Sequence, residues 1–388
     1  MSPRAPVPRS LKYAILGLAA VEMILGGAAI LATNRPEHRA TSPPPTAVTA
    51  PSPHFDPPQL PVIPGARQRG VCFVAGPAPP TDADFADLAA HGVTWISQTP
   101  FGWQARADAP ELRMNTAGHG WWGERDSGLV ETTRLARARG IRTLLKPHVW
   151  LRDHRDGKWT GSIAMTSEDD WAAWFAQYEA FIVHYATLAE SMGVEVLCIG
   201  TELEGTTARE ADWRRVIAAA RRVYPGRLTY GANWSGEFER IAFWDALDYI
   251  GVQAYFPLSD KPDATVDDLA TAWAPYVARI EAVQRRFARP VLLTEIGYKA
   301  SARATHEPWT WTTDDAYDPD AQARAYEAAY RALWDRPWCA GFYWWKWFPA
   351  GHHEAHGRDR FFTPQDKPAA DVMTKWYAAE RPPRSPAE

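Results

Sequence analysis

One pattern recurs eight times along most of this chain: a short apolar run, then a polar turn, then a stretch with helical spacing. The apolar runs cover residues 71–75, 93–97, 142–146, 194–200, 227–232, 249–254, 291–295 and 341–345. Helical periodicity lies between them, at 129–139, 169–191, 208–223 and 321–334. Strands that alternate with helices build a parallel sheet, either open and doubly wound or closed into a barrel. No glycine-rich phosphate loop follows the first run, which disfavours a dinucleotide fold. The eightfold count favours closure, so the expected fold is a single α/β domain of the (β/α)8 TIM-barrel type. The 388 residues are ample for such a unit, which commonly uses about 250 or more.

Local signals support the helical segments. Thr207 with Glu210 reads as a capping box, and Ser167 with Asp170 as a near form of one. Gly140 and Gly193 sit where helices should stop.

Upstream of the repeats the character changes. Arg4, Arg9 and Lys12 precede an apolar run over residues 13–33, interrupted only by the charge of Glu22. That suits either a signal anchor or a long signal peptide over residues 1–34. Because the basic residues come first, the bulk of the chain is expected outside the cytoplasm, either membrane-anchored or secreted. Residues 35–66 are rich in Pro, Ser and Thr and read as a semi-extended linker. The barrel domain is then expected over 67–388.

Composition narrows the partners. A net charge of -4 argues against nucleic acid, since polyphosphates favour strongly basic surfaces. Cys72, Cys198 and Cys339 make no disulfide framework and read as buried thiols. The 20 tryptophans need an explanation beyond core packing. Indole rings stack on the C–H faces of sugars, and several stand in segments that follow the apolar runs: Trp103, Trp150, Trp234, Trp309 and Trp311. Trp121 and Trp122 precede the second helix. Trp171, Trp174, Phe175 and Tyr178 follow helical spacing and are expected in the core.

Barrel enzymes place reacting groups at the carboxyl ends of their strands. The fourth run ends in Thr201 and Glu202, and the seventh ends in Glu295. Two carboxyls facing one cavity suit glycoside cleavage, one protonating the leaving oxygen and the other attacking the anomeric carbon. A salt-bridged or solvated strand end is the alternative for either alone. Glu204 lies further into the loop, as a substrate contact or a surface residue. Tyr255 ends the sixth run, where its phenol can hydrogen-bond Glu295. Trp344 and Trp345 are both candidate substrate contacts; strand side chains alternate, so one of them must face the barrel mouth, and Trp345 is nearer the tip. Lys146, His148 and Asn233 are candidate hydroxyl contacts. His352, His353 and His356 complete no known metal-ligand spacing, so no metal is expected.

The motifs RGVCF, LLKPHVW, CIGTELEG, GVQAYFPL, LLTEIGY and GFYWWKW appear in this order. Through them, residues 69–377 resemble glycoside hydrolase family 113, in clan A of the retaining barrel glycosidases. The resemblance implies that Glu202 is the acid/base, Glu295 the nucleophile, Tyr255 its partner and Trp345 the tryptophan of the eighth strand. It also implies a β-mannan hydrolase that needs no cofactor. The clan usually has Asn just before the acid/base, meeting the sugar 2-hydroxyl, where this chain has Thr201; Asn233 is the alternative contact. The expected activity is retaining hydrolysis of a β-linked polysaccharide or oligosaccharide, foremost β-1,4-mannan. Action on envelope or exopolysaccharide and a non-catalytic carbohydrate-binding surface barrel are the alternatives.

Overall fold

A computed structural model describes residues 66–114, 120–310, 314–350 and 360–379. Its strands are β1 (Gln68–Phe73), β2 (Trp95–Gln98), β3 (Phe101–Gln104), β4 (Leu112–Met114), β5 (Arg142–Leu145), β6 (His148–Leu151), β7 (Val196–Thr201), β8 (Arg227–Asn233), β9 (Ile250–Gln253), β10 (Val291–Ile296) and β11 (Cys339–Trp347). Eight of them close a barrel in the order β1-β11-β10-β9-β8-β7-β5-β2. The barrel pairs are parallel. Each barrel strand falls on one of the eight apolar runs. The reason is burial on both faces: β7 and β10 are buried at every position, so they read as continuous apolar segments.

The helices are α1 (Asp82–Ala90), α2 (Asp126–Ala138), α3 (Glu168–Met192), α4 (Glu210–Val223), α5 (Glu237–Arg240), α6 (Val266–Ala272), α7 (Ala274–Phe287), α8 (Pro319–Ala329) and α9 (Pro368–Ala379). Ser167 caps α3, its hydroxyl accepting from the Asp170 amide at 3.1 Å. Gly193 ends the same helix in the left-handed conformation, φ +64°. The capping box expected at Thr207 does not form. Its hydroxyl donates instead to the Glu204 carbonyl within a 3-10 turn, and α4 starts after Arg209.

Most of the tryptophan is structural. Trp174, Phe175 and Tyr178 of α3 are fully buried, with Trp174 stacked on Tyr178 at 4.8 Å. Trp213 of α4 stacks on Phe243 at 5.5 Å. Truncating a buried ring of this size typically costs about 3–5 kcal/mol, so this layer between barrel and helices holds much of the stability.

A three-stranded sheet, ordered β4-β3-β6, stands beside the barrel mouth and was not foreseen. It arises because two barrel strands resume after a proline. Pro100 separates β2 from β3, and Pro147 separates β5 from β6. Proline offers no N–H to a ladder, so pairing is interrupted and restarts in a new direction. The segment after Pro147 stays tied to the one after Pro100, with His148 N donating to Pro100 O at 2.9 Å.

The expected signal segment, residues 1–34, and nearly all of the linker lie outside the described residues. Among the described residues, no helix is long and apolar enough to cross a membrane. Cys72, Cys198 and Cys339 are buried, and none forms a disulfide among the described residues.

Candidate active site

The carboxyl ends of β8, β9 and β10 lie level with one another. Glu295 pairs in register with Gln253, and Gln253 with Asn233. Thr201 pairs with Gly231 two residues earlier on β8, which brings Glu202 up beside Asn233. The Asn233 amide donates to Glu202 Oε1 at 3.3 Å. Four consecutive strands therefore deliver two carboxyls and a side-chain amide to one end of the barrel.

Glu295 is buried. Burial alone would push its carboxyl up, but the Lys146 charge and the hydrogen bonds from Lys146 and the Tyr255 hydroxyl bring it below the ordinary carboxylate value. Lys146 Nζ donates to Oε1, and Tyr255 OH donates to Oε2 at 2.7 Å. His148 Nε2 stands 3.8 Å from Oε1. Burial and the adjacent Lys146 lower the imidazole to about 3, so it is neutral. Tyr255 keeps its proton, because burial and the Glu295 charge both raise the phenol. The result is an ionised carboxylate with both oxygens fixed in place.

Glu202 has the opposite character. Burial, then the charge of Glu295, then that of Glu237, push its carboxyl well above the usual range. Asn233, which hydrogen-bonds Glu202, lies level with Glu295 across Gln253, so the two acids stand at the same end of the barrel. The Glu202 backbone lies in the left-handed region, φ +53°, a conformation that strains any residue bearing a Cβ. Hydrogen bonds on both sides hold it there. Glu202 N donates to Gly231 O at 2.9 Å, and Leu203 N donates to Tyr230 OH at 2.8 Å. One acid that keeps its proton beside one that has lost it can serve general acid and nucleophile respectively.

The other sequence candidates divide. Trp345 faces the mouth, lining a depression with Cys72, Phe73, Thr99, Phe101 and Glu124. The ammoniums of Lys146 and Lys346 lie 5.7 and 5.3 Å from its ring centre. Trp344 points the other way. It stacks on Tyr326 at 3.6 Å and donates to Tyr330 OH at 2.8 Å, so the expectation that it meets substrate is corrected: it is core. Alternation along β11 decides this, since neighbouring side chains take opposite faces.

Trp103 and Trp150 stand not in loops but on paired strands of the side sheet, 6.3 Å apart. Phe101 and His148 share that face, 5.6 Å from each other. The four rings form a wall beside Glu295. Phe101 was missed by sequence reasoning, although its position two residues before Trp103 would have placed it on the same face.

Trp234 and Trp309 stack on each other at 4.8 Å and are largely covered. Glu204 is ion-paired with Arg240 at the rim. Thr201 is buried, its hydroxyl 3.7 Å from Cys198 Sγ. Lys146, expected as a hydroxyl contact, is instead the counter-ion of Glu295. Trp121 and Trp122 are half-buried where a 3-10 turn begins. Trp311 and the histidines at 352, 353 and 356 lie outside the described residues. Two residues with no earlier assignment, Tyr230 and Glu237, hydrogen-bond behind Glu202.

Comparison with known proteins agrees with this geometry. The family model described as Glycoside Hydrolase Family 113 matches residues 78–367. The structure of a β-mannanase of that family from Alicyclobacillus acidocaldarius, in complex with ManMIm, superposes with a TM-score of 0.69 at 29% identity. That match covers 81% of this chain and 97% of the other. A second structure, a β-1,4-mannanase of the same family, matches with a TM-score of 0.69 at 24% identity, covering 81% and 99%, and supports the fold. A β-galacturonidase of glycoside hydrolase family 2 from Eisenbergiella tayi, at 14% identity and a TM-score of 0.53, shares the fold over 81% of this chain and 51% of its own. No curated protein sequence matches the chain. The matched span is most of the barrel, and the chain is a glycoside hydrolase that belongs to Glycoside Hydrolase Family 113.

Proposed function

We propose that this glycoside hydrolase is a retaining β-mannanase that works by double displacement between Glu295 and Glu202. The observation that carries the reading is the placement of two acids at one end of the barrel, Glu295 held by Lys146 and Tyr255 and Glu202 held by the Asn233 amide, in surroundings that push the first acid down and the second up. In the first step a Glu295 oxygen bonds to the anomeric carbon as the bond to the leaving sugar breaks. Glu202 gives its proton to the departing oxygen. In the second step Glu202, now a carboxylate, takes a proton from water. The water oxygen bonds to the same carbon and releases Glu295.

Support for the sugar comes from the Alicyclobacillus acidocaldarius structure, a β-mannanase of the same family. Phe101 and Trp345 line the depression and offer apolar faces for pyranose rings, and Asn233 is placed to meet a hydroxyl beside Glu202. The test is a panel of mannan, glucan and xylan, with Glu202→Gln and Glu295→Gln as controls and the anomer of the first product read by NMR. Mannan cleavage with β-product formed first, lost in both variants, is expected. Undiminished activity in Glu295→Gln, or an α-product, would overturn the mechanism. The same proposal places the barrel outside the cytoplasm, where a polymer substrate is available; protease treatment of intact cells should remove it.

A further inference from the structure

Behind Glu202 lies a third carboxyl that neither step above uses. Glu237 opens α5, four residues past the end of β8, and is 0% exposed. Its two oxygens are both engaged. Oε1 accepts from Tyr230 OH at 2.5 Å, and Oε2 accepts from the Asn233 backbone N–H at 2.6 Å. Each partner leads to Glu202 by a separate route. Tyr230 OH accepts from Leu203 N, the peptide that immediately follows Glu202. Asn233 extends its side-chain amide to Glu202 Oε1.

The packing is built around this link. Tyr230 can lie against β7 only because residue 200 is glycine: a Cβ there would stand 2.6 Å from the Tyr230 ring. A buried carboxyl is costly, and an apolar side chain would fill the same volume more favourably. The cost is visible in Glu237 itself, whose acid is pushed up to about 8 by burial in spite of both hydrogen bonds. What the carboxyl supplies, and an apolar group could not, is two polar oxygens, one set against the Tyr230 hydroxyl and one against the Asn233 N–H. One orients Tyr230 onto the strained turn at Glu202, and the other fixes Asn233.

We propose that Glu237, acting with Tyr230, is a positioning residue for Glu202, serving the proton transfer to the leaving group rather than the attack by Glu295. The inference rests on the reading of Glu202 as the acid. It predicts a selective defect: leaving groups that depart without a proton should not need the Glu237 link, whereas poor leaving groups should.

The experiment measures kcat/KM, which reports the glycosylation step, on aryl β-mannobiosides ranging from 2,4-dinitrophenyl to unsubstituted phenyl. Wild type, Glu237→Gln, Tyr230→Phe and Glu202→Gln are compared. A general acid contributes roughly 10²–10⁴-fold, so partial misplacement should cost about 10–100-fold on the phenyl substrate. The dinitrophenyl substrate should stay within about threefold of wild type, because its departure needs little of that contribution. Tyr230→Phe removes a single hydroxyl and keeps the test open should Glu237→Gln fold poorly. Equal losses on all leaving groups, or no loss on any, would overturn the positioning role. Glu202→Gln separates the two ideas. If it too is insensitive to the leaving group, the acid assignment fails and takes this inference with it. If it is sensitive while the other variants are not, only the role of Glu237 fails.

Discussion

Lys146 and Glu295 form an ion pair that solvent does not reach, their side chains 0% and 1% exposed. They come from strands on opposite sides of the barrel order. A buried pair of this kind gains little net stability, but removal of one partner strands the other. Lys146→Met should therefore destabilise the fold by about 3–5 kcal/mol at neutral pH, read by urea unfolding. It should also move the acidic limb of the activity profile to higher pH, since Lys146 is the largest influence holding the Glu295 acid down. An unmoved acidic limb would contradict the assigned pairing.

The pH dependence of kcat/KM follows from the two acids. Glu295 must be ionised and Glu202 protonated, so activity rises as pH passes the lowered value of Glu295 and falls as it passes the raised value of Glu202. The bell should lose its descending limb in Glu202→Gln when an activated aryl mannoside is the substrate. A limb that persists would assign it to another group.

Glu202 also makes a stability prediction. In the unfolded chain its acid ionises near 4.5, whereas in the fold it holds its proton well above that. A raised folded value means the contribution is fully present below pH 4.5 and is lost as pH climbs toward the folded value. Glu202→Gln removes this penalty. Its melting temperature should exceed that of the wild type at pH 7 and approach it at pH 4; a pH-independent difference would refute the linkage.

Trp344 and Trp345 are neighbours with opposed duties. Trp344→Ala deletes a fully buried ring stacked on Tyr326, and should cost about 3–5 kcal/mol of stability. Trp345 faces the mouth, and its indole N–H has no hydrogen-bond partner among the described residues. Trp345→Ala should chiefly weaken binding of a mannan oligosaccharide, by about 10-fold or more if stacking contributes the 1.4 kcal/mol that such a factor represents. Calorimetric titration beside a thermal melt separates the two effects.

Some of this was legible in the chain itself. Eight apolar runs marked the barrel strands because strands buried on both faces must be apolar throughout. Glu202, Tyr255 and Glu295 were legible because a polar residue that ends such a run sits at the strand tip. Order along the chain and side-chain alternation are local properties, and they sufficed for Trp345. The side sheet was harder. Pro100 and Pro147 interrupt the pairing of β2 and β5, and reading the residues beyond them as loops put Trp103 and Trp150 in the wrong kind of element. The pairing of Lys146 with Glu295 spans 149 residues, and the path from Glu237 to Glu202 crosses three segments. Such contacts exist only once the ring of strands has closed. Local sequence determined which residues reach the mouth of the barrel; closure alone decided which of them touch, and so which acid keeps its proton.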